Sequence, residues 1–312
     1  MERLNIEQLR LVRPSFELKG SFTSVMGEYF IPTIEKTGFY KESGWNRGAE
    51  KDEDLRELLA TKILDKIGFE HADIILATDG KGKHGCISVN ILDQNEEFIE
   101  TDMIIIEPGR EPSANDFILI DLEQVSSIPG ITQEDLRIRK EYVIKYLLLS
   151  AFLSNTDVKT DNMMIIKNNT TGSFRNPEYY DMGLAFVENE ERNFFSALSS
   201  FQVMEELYKL YPEQTLPLGR IIEENVNEDF IKSLLQEETF SGFAPDTRKL
   251  IADQLIRRIN FISELNRQKQ NNFIFGVTGI HDAFKGIPAS VRDNASKFMK
   301  EMRKNLERDR DE

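Results

Sequence analysis

Ser154-Asn155-Thr156-Asp157-Val158-Lys159-Thr160-Asp161-Asn162, followed after a short interval by Asp181-Met182-Gly183, is the stretch from which the rest of this 312-residue chain is read. It sets a carboxylate, Asp157, and an amide, Asn162, five positions apart, and adds a second carboxylate directly before a glycine. Any one of these residues is at home in a solvated turn, because Asp and Asn side chains satisfy nearby backbone amides. Their order within the chain carries the information.

Upstream, residues 136–152 read as a helix whose later part (Tyr142, Val143, Ile144, Tyr146, Leu147, Leu148, Leu149) is apolar on all sides, as in a helix at the centre of a domain. The Asp157 loop leaves its end, where a rigid scaffold presents side chains outward. Downstream, 163–166 and 178–180 are strand candidates around a turn-rich 167–176. Helices are expected near 194–210, 228–237, 246–266 and 290–306, the third with Leu250, Ile251, Leu255, Ile259 and Ile262 on one stripe. The charged tail 304–312 is expected to fray.

Toward the N-terminus the pattern changes character near residues 100–120. Residues 16–43 read as strands punctuated by Gly20, Gly27 and Lys36-Thr37-Gly38. Residues 54–67 read as a helix with Leu55, Leu58, Leu59, Ile63 and Ile67 on one face and Gly68 as its stop. Segments 74–78 and 86–92 flank an Asp79-Gly80-Lys81-Gly82-Lys83 turn, a hairpin pattern. The expected fold class is α+β and two-lobed: a β-rich lobe over 1–100 with one crossing helix, and a larger, mainly helical lobe over 101–312. A chain of this length is near the size at which a single core begins to split.

Composition narrows the partners. Fifty-four acidic against 39 basic residues leave a formal charge of −15, which opposes a phosphate backbone and argues against direct nucleic-acid binding. A basic protein partner or peptide substrate is compatible with it, although a surface solvated for solubility is the blander reading. A single cysteine, Cys86, excludes an internal disulfide, and the separated His71, His84 and His281 draw no zinc spacing. Residues 1–13 are charged throughout, so no secretory signal is expected, and no run approaches the ~20 apolar residues of a membrane span. The expectation is a cytoplasmic protein, with delivery to a host cell left open.

A phosphoryl group in transit takes no covalent help from protein. It needs a metal to neutralise the β and γ oxygens and a carboxylate to position the attacking hydroxyl. Asp157 suits the second task. Asn162 and Asp181 offer the few hard oxygen ligands that magnesium prefers, and Gly183 is expected to let the backbone turn sharply after the ligand.

Asp157-Val158-Lys159-Thr160-Asp161-Asn162 resembles the Asp-x-Lys-x-x-Asn catalytic loop of serine/threonine protein kinases, and Asp181-Met182-Gly183 resembles their Asp-Phe-Gly. The wider setting is similar to the bacterial HipA-like kinases, CtkA-type secreted kinases among them. There an Asn-x-Asp opens the loop, as Asn155-Thr156-Asp157 does here, and a Glu-x-x-Ala helix precedes it, as Glu57-Leu58-Leu59-Ala60 does. The likeness spans roughly residues 16–190 and is concentrated in the two loops.

The resemblance implies ATP and Mg2+ as cofactors, Asp157 as catalytic base or hydroxyl-orienting residue, and Asn162 and Asp181 as metal ligands. Lys159, where HipA-like sequences more often carry histidine, is implied to contact the γ-phosphate. An ATP-anchoring lysine is implied on the third strand, paired with an acid on the following helix. Lys41 with Glu57 is preferred, because alternation from Phe39 puts Lys41 on the inner face; Lys36 is the rival. Residues 86–92 are implied to hold the backbone that meets adenine.

Gly20-Ser21-Phe22-Thr23-Ser24-Val25-Met26-Gly27 is either a phosphate-covering loop, with Gly20, Ser21 and Ser24 near the nucleotide, or a plain hairpin. Ser21 and Ser24 are by resemblance also candidates for inhibitory phosphorylation. The implied function is ATP- and Mg-dependent transfer of the γ-phosphate to a protein serine or threonine, with autophosphorylation and an antitoxin-like or regulatory protein partner among the family's possibilities. The alternatives are the same fold acting on a phosphoinositide, transferring AMP, or serving as a silent nucleotide-binding module.

Overall fold

The computed structural model describes residues 3–15, 25–44, 52–99, 113–186 and 199–283, with the side chains of 160, 161 and 270–283 outside that description. Strands β1 (Leu4–Asn5), β2 (Arg10–Pro14), β3 (Val25–Ile31), β4 (Lys36–Glu42), β5 (Ile74–Thr78) and β6 (His84–Val89) form one sheet in the order β1-β5-β6-β4-β3-β2. All pairs are antiparallel except β1 with β5. The expected hairpin is present: Asp79 Oδ1 accepts from the amides of Lys81 and Lys83, at 2.9 and 2.7 Å, and Gly82 takes a left-handed φ of 80°. β6, however, begins and ends earlier than expected. Beyond Val89, Asn90 turns its Oδ1 back to accept from the Leu92 amide, and the strand stops.

The sheet has two working faces because alternate residues leave on opposite sides. One carries a small core of Ile6, Ile31, Tyr40, Ala77, Ile87 and Val89. The other carries Lys41 and its register partner Cys86, and receives helix α1 (Glu53–Lys66). Leu55, Leu59 and Ile63 are buried on α1 as the stripe anticipates, and Gly68 follows its end with φ 74°. More of this helix is buried than an amphipathic stripe requires, since Asp54, Arg56 and Glu57 are also below 4 % exposed. Each of those three has a partner: Arg3 and Ser43 for Asp54, backbone carbonyls for Arg56, Lys41 and Cys86 for Glu57. Buried charge is tolerated only on such terms.

The helical part opens with α2 (Ala114–Ser126), which the sequence reading did not anticipate. Its signal was a capping box: Ser113 and Asp116 exchange side-chain and backbone hydrogen bonds at 3.0 and 3.2 Å. Helix α3 (Gln133–Leu153) starts from a second box, Thr132 with Asp135, and its later half is buried throughout. Arg139 of α3 grips Asp121 of α2 bidentately at 2.8 and 2.6 Å and reaches Asn176 at 3.1 Å.

A second, three-stranded sheet joins β7 (Glu96–Ile99), which precedes α2, to β8 (Ile165–Asn168) and β9 (Phe174–Arg175), which follow α3. The expected strand at 178–180 is not one. Tyr179 makes a single parallel bridge to His71, and β9 instead falls within the stretch read as turn.

Helices α4 (Ser200–Leu210), α5 (Pro212–Asn225), α6 (Glu228–Gln236) and α7 (Pro245–Ala283) complete the described chain. α5 was also missed. Pro217 and Gly219 inside it are residues that ordinarily argue against a helix, and here Leu218, Gly219 and Ile222 are buried. α7 runs past the expected end at 266, with Ile251, Leu255 and Ile262 buried along its stripe. The expected helix at 290–306 and the tail lie outside the described residues. The chain divides into two units, Met1–Ser263 and Glu264–Glu312, and every site residue belongs to the first. No described helix is long and apolar enough to cross a membrane.

Candidate active site

Three elements distant in sequence meet at Lys41. Its Nζ lies 2.7 Å from Asp181 Oδ1 and 3.3 Å from Glu57 Oε1, so a strand of the sheet, helix α1 and the 181–183 turn converge on one ammonium. Lys36, the rival, is exposed at the first position of β4, paired with Ile31. Burial works against charge on Lys41, but Asp181 and Glu57 outweigh it and hold the amine firmly protonated. The two carboxylates respond oppositely. Burial pushes the Glu57 carboxyl up, with Asp181 adding to the effect against Lys41. Burial also acts to raise Asp181, but the Lys41 charge and hydrogen bond, with help from Lys159, bring it below the ordinary value. Asp181 makes the tighter contact.

The Asp157 loop is presented by the end of α3. Ser154 adopts a left-handed φ of 51° and closes the helix, and the Asn155 amide donates back to Ser150 O at 2.8 Å. Asn155 is buried and fixes the loop from both sides. Its Oδ1 accepts from the Asp157 amide at 3.1 Å, and its Nδ2 lies 3.2 Å from Met182 Sδ. The Thr156 amide donates to Leu184 O at 3.3 Å, and the Phe186 amide to Leu153 O at 2.9 Å. Through these contacts the loop and the 181–183 turn form one structure.

Within the loop, Lys159 Nζ pairs with Asp157 Oδ2 at 2.9 Å. Asn162 Nδ2 donates to Asp157 O at 2.8 Å and approaches Asp157 Oδ2 at 3.4 Å, which leaves the amide oxygen as the end suited to a cation. The Asp161 side chain lies outside the described residues, as do Gly20, Ser21 and Ser24, where either a phosphate-covering loop or a hairpin is expected.

Gly183 lies, as expected, in a turn just after Asp181, closed by the Ala185 amide donating to Met182 O at 2.9 Å, but its own φ is not positive. The left-handed residue is Asp181 itself, φ 60°, a conformation that costs a non-glycine residue about 1 kcal/mol or more. A Cβ at Gly183 would lie 3.5 Å from Glu57 Oε2, an ordinary contact. The turn continues into a clamp: Arg56 of α1 donates to the carbonyls of Ala185 and Phe186, and Phe186 is itself left-handed. Under the loops, Tyr146 stacks on Tyr179 with ring centroids 5.6 Å apart and planes at 7°. Burial, then the surrounding charges including Asp157 and Asp181, keep the Tyr146 phenol neutral.

Among the described residues no group of three or more His, Cys, Asp or Glu side chains is placed to hold an ion by itself. One carboxylate and one amide suit magnesium, which keeps waters and takes other oxygens from a phosphate ligand. In the 86–92 segment, Cys86 points at Glu57, the Leu92 amide is taken by Asn90, and Ile91 O accepts from Arg175 at 2.8 Å.

A crystal structure of the Helicobacter pylori proinflammatory kinase CtkA matches 86 % of this chain and 98 % of its own length, with a TM-score of 0.62 at 12 % identity. The chain has the kinase fold of CtkA. HipA from the Shewanella oneidensis MR-1 toxin–antitoxin system, solved with HipB and operator DNA, also matches: 74 % of this chain, 60 % of that one, TM-score 0.48, 11 % identity. No protein-family model matches the chain, and no curated protein matches it in sequence. The CtkA kinase fold accords with the α+β, two-lobed architecture expected from the change of pattern along the chain.

On this kinase fold, the structure brings Lys41, Glu57 and Asp181 into direct contact and Asp157, Lys159 and Asn162 into a second group joined to them by Asn155. Sequence reasoning assigned no role to Arg56, and none to Cys86 beyond the adenine segment. The pattern offered no signal for either, because both act through contacts far apart in sequence.

Proposed function

We propose that the protein is an ATP- and Mg-dependent serine/threonine protein kinase of HipA-like type, which transfers the γ-phosphate to a protein hydroxyl. The observation that carries this reading is the Lys41 ammonium set between Glu57 and Asp181, beside a loop that presents Asp157, Lys159 and Asn162. Magnesium, when bound, supplies neutralisation of charge on the β and γ oxygens. Asn162 and Asp181 would hold it.

In this reading Lys41 grips the nucleotide phosphates, and Glu57 keeps the lysine on its strand. Asp157 orients the acceptor hydroxyl and takes its proton as the oxygen attacks the γ-phosphorus and the bond to ADP breaks. Lys159, already 2.9 Å from Asp157, meets the negative charge of the transferring group. The −15 charge of the chain is compatible with a basic protein or peptide as acceptor.

The test is transfer of label from γ-labelled ATP with Mg2+ to the protein itself or to a basic acceptor protein. Label from the wild type that is lost in Asp157→Ala supports the reading, and equal label in both sinks it. Transfer from the α-phosphate instead would move the enzyme to AMP transfer.

A further inference from the structure

Lys41 and Cys86 are register partners on adjacent strands, so both side chains leave the sheet on the face that receives α1. Glu57 reaches between them. Its Oε1 lies 3.3 Å from Lys41 Nζ and its Oε2 lies 3.5 Å from Cys86 Sγ. Glu57 and Cys86 are each 2 % exposed, so bulk water does not reach the second oxygen. A buried carboxylate with one oxygen unserved is costly and free to rotate away from its cation. Burial and the neighbouring Glu57 keep the thiol protonated, so it has a hydrogen to donate.

We infer that Cys86 is a positioning residue of the nucleotide site: its thiol holds one Glu57 oxygen so that the other keeps Lys41 aimed at Asp181. The inference rests on the kinase reading of Lys41 and Glu57. It gives this buried cysteine a task that its packing alone does not supply.

Two substitutions separate donation from volume. Cys86→Val fills the space without a donor, and Cys86→Ser keeps a donor in a smaller side chain. KM for ATP and kcat are measured alongside the Kd for Mg-ATP by calorimetry. Cys86→Val is expected to raise KM and Kd about three- to tenfold, the loss of one hydrogen bond to a charged group, with kcat within about twofold. Cys86→Ser is expected to stay nearer wild type. The opposite order, valine tolerated and serine impaired, would mean that the residue only fills space and would overturn the inference, as would equal constants in all three proteins. If wild type binds ATP yet transfers no phosphate, the kinase reading fails and the Kd series alone judges Cys86 by the same order. If wild type does not bind ATP, both fall.

Discussion

Lys41 and Asp181 stand 140 positions apart in the chain, yet their charged atoms are 2.7 Å apart, closer than Lys41 is to Glu57. The contact joins the sheet to the turn that carries the candidate metal ligand. A lysine shared by two carboxylates can pass from one arrangement to another without leaving its pocket, which suits the proposed grip on phosphate oxygens.

Lys41→Met removes the cation and leaves Glu57 and Asp181 facing each other. Phosphotransfer is expected to fall by roughly 10²–10³, the scale for loss of one electrostatic stabiliser. Steady-state assays on folded variant check it, and Lys36→Met should leave the rate unchanged.

Asp157→Ala is expected to lower kcat by roughly 10²–10⁴ through loss of the proton acceptor. Lys159→Ala should lower kcat while KM for ATP changes little, because its partner in the structure is Asp157. A KM effect without a kcat effect would assign Lys159 to binding.

Asp181→Asn should make ATP binding independent of Mg2+. Calorimetric titrations with and without the metal are expected to differ for wild type and to coincide for the variant. Retained metal dependence would remove Asp181 from the ligand set.

Arg139 and Asp121 are both at or below 1 % exposed. Arg139→Met leaves Asp121 charged and unpaired in the core and is expected to cost about 3–5 kcal/mol in denaturant unfolding. Adding Asp121→Leu should recover much of the loss, since the pair together contributes far less than either partner left alone.

The hydrogen bonds from Arg175 hold the Glu96 carboxyl below its ordinary value. A depressed carboxyl contributes stability above its unfolded value, about 4.3, and loses it as pH falls through the lower folded value. Glu96→Gln should therefore flatten the acid limb of the stability curve below about pH 5 and leave the variant less stable than wild type near neutrality.

What could be read from sequence was local. Asp157, Asn162 and Asp181 lie in loops whose residue order is itself the signal, and the α1 stripe with Gly68 marked a helix correctly. Alternation along β4 placed Lys41 opposite Tyr40, where the structure has it, and Lys36 falls at an exposed strand end. The failures have physical causes. α5 contains Pro217 and Gly219, whose local preference is overridden by packing. β1 and β9 are two residues each and exist only through partners elsewhere, Thr78 and Lys167 among them. Gly183 invited a backbone explanation, but the unusual backbone belongs to Asp181. Cys86 was read for its strand, and its neighbour across the helix was invisible.

Arg56 and Glu57 are consecutive on α1, and they point to different masters: Glu57 to the lysine of the sheet, Arg56 to the backbone just past Met182. A rotation of α1 that released one would strain the other. One turn of α1 thus fixes the lysine of the sheet and the backbone beyond Met182 together.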